Sequence, residues 1–177
     1  MIHWKENHMN PNNIVLIGMP AVGKSTIGVI LAKILGYRFI DADLLIQEQE
    51  QRLLEEIIAA EGVDGFIAIE NRVNSAIEAE RSVIATGGSV VYGKEAMEHL
   101  QKIGTIVYLK LDFETLRLRL RNIKNRGVVL REGQTLRELY HERTPLYEHY
   151  AHFVIEQAPT DTAEDTIEKI VAALNCR

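Results

Sequence analysis

The chain has 177 residues, 46% of them hydrophobic and 25% charged, with a net charge of −5. That length suits one domain, and the composition suits an ordinary globular core. The acidity argues against a nucleic-acid partner bound through a basic patch. No apolar run approaches the roughly 18 residues a membrane span needs, and the lone Cys176 has no partner for an internal disulfide.

Residues 1–12 are polar, lack the apolar stretch of a signal peptide, and read as a tail ahead of a single domain at 13–177. A cytoplasmic protein is expected. Residues 13–17 (NIVLI) form a continuous apolar run ending at Gly18, the pattern of a strand buried on both faces. Gly18-Met-Pro-Ala-Val-Gly23-Lys24-Ser25 then has the form G-x-x-x-x-G-K-[ST] between a predicted strand and a predicted helix. Glycines at those positions let the backbone turn its N–H groups around a phosphate at the positive end of the helix. Lys24 would reach the β- and γ-phosphates and the Ser25 hydroxyl would hold Mg²⁺, so ATP and Mg²⁺ are the expected cofactors. The nucleotide-binding set is therefore Gly18, Ala21, Val22, Gly23, Lys24, Ser25 and Thr26. A plain glycine turn beside an exposed lysine is the alternative, and the strand–loop–helix context disfavours it.

The helix continues over 26–35 to Gly36, a residue type common just past a helix end. Residues 38–40 predict a second strand that runs into Asp41 and Asp43. If that segment stays extended, alternation turns both carboxylates to one face. One would orient the metal's water and the other the proton of a nucleophile; either could equally cap a helix. A long helical stretch is expected over about 42–80, broken near 62–65. Residues 82–86 predict a third strand ending in Thr86-Gly87-Gly88-Ser89, which is a simple turn or a place where a substrate approaches backbone N–H groups. A fourth strand at 105–109 precedes a segment crowded with Arg117, Arg119, Arg121, Lys124, Arg126 and Arg131. Such a basic cluster in an acidic chain suits a small anionic ligand. A fifth strand at 152–155 and an amphipathic helix at 161–174 close the chain. Strands alternating with helices predict a parallel sheet covered on both faces. Ligands bind such sheets at the carboxyl ends of the strands, where these glycines and aspartates fall.

The assembled pattern resembles the shikimate kinase family over about residues 13–174. It comprises G-M-P-A-V-G-K-S-T-I-G, L-A-K-I-L-G, F-I-D-A-D, F-x-x-I-E, A-T-G-G-S-V, an arginine-bearing lid segment, and R-T-P-L-Y. The resemblance implies a three-layer α/β P-loop fold with a five-stranded parallel sheet flanked by helices. It places substrate-binding helices at about 42–80 and a mobile lid at about 121–136. The implied activity is phosphoryl transfer from ATP to the 3-hydroxyl of shikimate, on the route to chorismate and the aromatic amino acids. By the same resemblance Asp41 organises Mg²⁺ through water, and Asp43 binds acceptor hydroxyls and takes the proton. Gly88, with Gly87 beside it, faces the acceptor ring. Arg126 covers the transferring phosphate, Arg143 binds the substrate carboxylate, and Arg119 packs against adenine. A solvated basic face is the alternative for Arg119, and a helix-end cation for Arg143. The implied protein is a monomer acting on a small-molecule acceptor, shikimate or similar.

Three departures from the family pattern bear on that acceptor. Phe66 is followed by Ile67 where the family has an arginine that pairs with the shikimate carboxylate, although Glu70 is kept. The third glycine of the turn is Ser89, and the lid motif reads Arg126-Gly127-Val128-Val129 in place of R-P-L-L. A bidentate arginine–carboxylate contact contributes roughly 1.5–3 kcal/mol, so its loss weakens binding about tenfold to a few hundredfold. Arg72, five positions on, lies largely on another helix face. Two further readings therefore stand beside the first: a kinase for another small polyol or hydroxy acid, and a nucleotide-binding module without useful transfer.

Overall fold

In the computed structural model, which describes residues 12–121, 128 and 130–175, five strands make one parallel sheet in the order β2-β3-β1-β4-β5. They are β1 (Asn13–Ile17), β2 (Arg38–Asp41), β3 (Ser82–Ala85), β4 (Gly104–Leu111) and β5 (Phe153–Gln157). The unbroken apolar run of β1 has its reason here. The strand is central, paired with β3 on one side and β4 on the other, and every residue in it is buried. Among the described residues the sheet is flanked by α1 (Lys24–Leu35), α2 (Ala42–Glu50), α3 (Leu54–Ser75), α4 (Lys94–Ile103), α5 (Phe113–Arg121), α6 (Leu136–Tyr150) and α7 (Ala163–Asn175). The expected fold is the one found.

The expected helical stretch at 42–80 is corrected in its breaks. It first divides at Gln51, which caps α2 in the left-handed region at φ 53°, and α3 begins only at Leu54. Gly62 adds a second break inside α3 with φ 70° and ψ −177°, and the helix stops at Ser75. The pair has its own apolar cluster of Ile46, Ile57, Phe66 and Val73, separate from the main core under the sheet. The amphipathic helix α4, with Ala96, Met97 and Leu100 buried, had no counterpart in the sequence reading. Residues 1–11 of the expected tail, Cys176, and most of the expected lid, including Lys124, Arg126, Gly127 and Val129, lie outside the described residues.

At the amino-terminal edge of the sheet one buried side chain ties three segments together. Asn13 donates to the carbonyls of Ala79 at 2.7 Å and Ile103 at 2.8 Å, and accepts from the Ser82 N–H at 3.0 Å. Each buried bond contributes on the order of 1 kcal/mol net. Asn13→Ala should therefore cost about 3 kcal/mol and lower the melting temperature by roughly 6–12 °C. Calorimetry checks this; a change within 2 °C would show that these bonds do not set the register of β1 and β3.

Candidate active site

The loop after β1 is shaped by backbone that side chains resist. Gly18 has φ +145°, and a Cβ there would stand 2.7 Å from the Leu109 carbonyl oxygen. Gly23, with φ 98°, precedes α1 without a side-chain cap, and the first turn of that helix carries no acidic residue. The leading N–H groups of α1 are therefore left to a ligand, and the helix dipole favours an anion. Lys24 is buried and folds back over the loop, donating to the carbonyls of Gly18 at 2.7 Å and Met19 at 2.9 Å. The Ser25 hydroxyl donates to Asp41 Oδ2 at 2.9 Å. Two hard oxygen donors at the lip of a phosphate loop fit Mg²⁺, which keeps much of its water and takes few protein ligands.

Asp41 and Asp43 do not share one extended segment. Asp41 ends β2 and caps α2, its Oδ1 accepting from the Asp43 N–H at 3.0 Å, so Asp43 already lies in the first helical turn. The cap occupies one oxygen of Asp41 and leaves the second to accept from Ser25. Lys24, Ser25, Asp41, Asp43, Gly87, Gly88 and Arg143 all line one cleft of about 740 Å³, together with Ala21, Phe66, Glu70 and Ser89. Ile67 is not among the residues lining it.

At the closed end of the cleft, charged groups press on the glycine turn. A Cβ on Gly87 would meet Glu70 Oε1 at 2.3 Å and Asp43 Oδ1 at 2.9 Å, and one on Gly88 would meet Arg143 Nη1 at 2.9 Å. Tyr147 donates its hydroxyl to the Gly88 carbonyl at 2.5 Å and stacks on Tyr108 with ring centroids 4.9 Å apart. Arg143, 1% exposed, lies over the Tyr92 ring at 5.3 Å. Burial works to lower its pKa, but Tyr147, Tyr92 and Glu70 together hold it above the usual value, so the guanidinium stays charged. Glu70 is instead pushed toward its neutral form. Burial, aided by Asp43, raises its pKa to about 7 against the pull of Ser89, Arg143 and Lys24.

Sequence reasoning missed Tyr147 and Gln157. The signal for Tyr147 was its place four residues after Arg143, on the same face of α6. Gln157 carried none: buried at the end of β5, it donates to the Val22 carbonyl at 3.0 Å and accepts from Arg119 at 3.4 Å, joining the loop to α5. Arg119 and Val22 are thereby brought together, away from the acceptor end, while Thr26 is exposed on α1. The basic cluster is less available to a ligand than its sequence suggested. Arg117 pairs with Glu114 at 2.9 Å, and Arg131 pairs with Asp64 at 2.9 Å.

A family profile described as "Shikimate kinase" matches residues 20–175. The chain belongs to the shikimate kinase family. It is 32% identical over 170 residues to a protein named "Shikimate kinase 2" from Yersinia enterocolitica, covering 91% of this chain and 94% of that one. The shikimate kinase of Acinetobacter baumannii, solved in complex with shikimate, superposes with a TM-score of 0.83 at 33% identity, covering 93% of both chains. The shikimate kinase of Bacteroides thetaiotaomicron gives 0.77 at 28% identity, covering 92% of this chain and 98% of that one. Of the two altered residues, Ser89 lines the cleft and Ile67 does not.

Burying Glu70 has a cost that varies with pH. Its folded pKa, about 7, is above the ordinary 4.5, so the folded state binds the extra proton between those values. Stability from this group is full below about pH 4.5 and is lost as pH rises through about 7, by up to roughly 3 kcal/mol. Glu70→Gln should therefore melt higher than the parent at pH 8, with the gap closing toward pH 4.5. A gap that stays constant across that range would contradict the buried-carboxyl account.

Proposed function

We propose that this protein is an ATP- and Mg²⁺-dependent shikimate kinase, transferring the γ-phosphoryl group to the 3-hydroxyl of shikimate. The observation that carries the reading is one cleft lined by Lys24, Ser25 and Asp41 together with Asp43, Gly87, Gly88 and Arg143. The Acinetobacter relative's complex with shikimate supports the acceptor.

Phosphoryl transfer asks a protein for alignment and charge neutralisation more than for covalent chemistry. The N–H groups at the start of α1 cradle the phosphates, and Lys24 exchanges the Gly18 and Met19 carbonyls for phosphate oxygens. Ser25 and Asp41 would hold Mg²⁺, which when bound neutralises charge on the phosphates. Asp43 accepts a hydrogen bond from the attacking hydroxyl, aligns it, and takes its proton late in the step. Arg143 pairs with the acceptor carboxylate, and its burial strengthens that pairing by excluding water. Gly87 and Gly88 let the acceptor ring lie close to the backbone. Arg119 packs against adenine and Arg126 covers the transferring phosphate, both on the family resemblance. On this reading the protein works as a cytoplasmic monomer; among the described residues no helix is long and apolar enough to cross a membrane.

Coupled ADP release with ATP, Mg²⁺ and shikimate tests the proposal directly. Saturable turnover yielding shikimate 3-phosphate is the expected result, and no release at millimolar shikimate with ATP bound would refute it. Lys24→Ala should reduce kcat by at least about a thousandfold, since it removes charge stabilisation at the transferring group. Asp43→Ala should lower kcat by about a hundredfold or more with the KM for ATP held within about threefold. Near-parental turnover in either variant would contradict these roles.

A further inference from the structure

Glu70, 1% exposed, needs a partner, and the chain supplies one from an unusual position. The carboxyl is buried in α3, and among the described residues no donor reaches its Oε1. Its Oε2 accepts from the Ser89 hydroxyl at 2.5 Å. Ser89 stands where the family's turn has its third glycine, and Ile67, which replaces the family arginine one helical turn before Glu70, lines no part of the cleft. The Ser89 backbone, at φ −90° and ψ −2°, accepts any side chain, so nothing in the turn itself requires a glycine there.

We infer that Ser89 is a positioning residue that holds Glu70 in this chain, its hydroxyl fixing Oε2 so that Oε1 stays against Gly87 beside Asp43 and keeps the floor of the acceptor pocket in shape. The groups facing Glu70 are Ser89 after β3, Asp43 on α2, Arg143 on α6 and Lys24 on α1, with Asn74 on its own helix bonding the Glu70 carbonyl rather than the carboxyl. Of these, Asp43 opposes the carboxylate charge, Lys24 and Arg143 favour it through space, and Ser89 donates to it directly. Removing the hydroxyl leaves a buried carboxylate with both oxygens lacking a direct donor, which disfavours its charged form. On the proposed reading the acceptor, not the nucleotide, should feel this, because Glu70 lies against Gly87 and feels the charge of Asp43.

This inference rests on the proposed acceptor reaction for its kinetic consequence but not for its structural one, so two readouts separate them. The first is a carboxyl titration of the full-length, acceptor-free protein by infrared spectroscopy, with Glu70→Gln identifying the band. Ser89→Ala and Ser89→Gly should each move the Glu70 midpoint upward by about one pH unit or more, the shift expected on losing a hydrogen bond to a charged group. The second is the pH profile of kcat/KM for shikimate. Its acid limb should move upward by the same amount, with the KM for shikimate at neutral pH rising about tenfold and the KM for ATP unchanged. In a Glu70→Gln background the Ser89 substitutions should have no further effect on either KM. An unmoved carboxyl midpoint in both Ser89 variants would overturn the inference, as would equal rises in the two KM values. If the parent enzyme does not turn over shikimate but the midpoint moves, the acceptor assignment fails and the Ser89–Glu70 coupling stands.

Discussion

A side chain at position 87 or 88 would collide with three charged groups from three helices: Asp43 of α2, Glu70 of α3 and Arg143 of α6. The acceptor half of the cleft depends on that close approach. β3 ends beside β1, and the turn after it brings two residues without Cβ atoms to the place where these helices converge. With Cβ atoms there the charged groups would have to retreat, and a carboxylate, a second carboxylate and a guanidinium would lose the distances that make them a set. Pro20 of the phosphate loop also lies within contact of Gly88, and Tyr147 fixes the Gly88 carbonyl, so the same turn joins the nucleotide end to the acceptor end. Burying this many charges is costly unless they are paired or put to use. Here charges of opposite sign act on one another through space, and burial outweighs the pull of Ser89, Arg143 and Lys24 at Glu70.

The nucleotide end is simpler and shows a complementary constraint. Its loop spends left-handed backbone at Gly18, Ala21 and Gly23 to turn N–H groups inward at an uncapped helix start. Lys24 meanwhile satisfies itself on loop carbonyls. A phosphate arriving there exchanges bonds that already exist, so the loop needs little rearrangement to receive it. Gln157 extends this order outward by holding both Val22 and Arg119.

Much of this was legible in the sequence, for physical reasons that differ from residue to residue. The strand β1 announced itself because both its faces are covered and its residues are uniformly apolar. The loop announced itself because phosphate binding forces glycine and lysine to fixed spacings. Gly87 and Gly88 read as either a plain turn or a place of close approach, since the collision that demands glycine involves charged side chains 17 to 55 positions away, and no local pattern encodes it. Asp41 and Asp43 were legible at the end of β2, and of the two conformations the sequence left open Asp41 takes the helix cap while its other oxygen meets Ser25. The break at Gln51 was missed because a left-handed glutamine gives no warning in composition, whereas Gly62 does. Gln157 and Tyr147 act through contacts with loop carbonyls, which any polar side chain of the right reach could make.

The altered residues then have a consistent sense. Ile67 stands where the family pattern has a cation and lies outside the cleft, and Ser89 supplies a neutral donor to Glu70. On the proposed reading, recognition of an acceptor carboxylate falls on Arg143, which is buried over the Tyr92 ring and feels the charge of Glu70. Calorimetric titration of shikimate and of its methyl ester into the parent protein and into Arg143→Lys tests this most directly. The account predicts that Arg143→Lys weakens shikimate binding by about tenfold to a few hundredfold and leaves the ester nearly unchanged. Equal weakening of both ligands would contradict it, because Arg143 would then shape the pocket without reading the carboxylate.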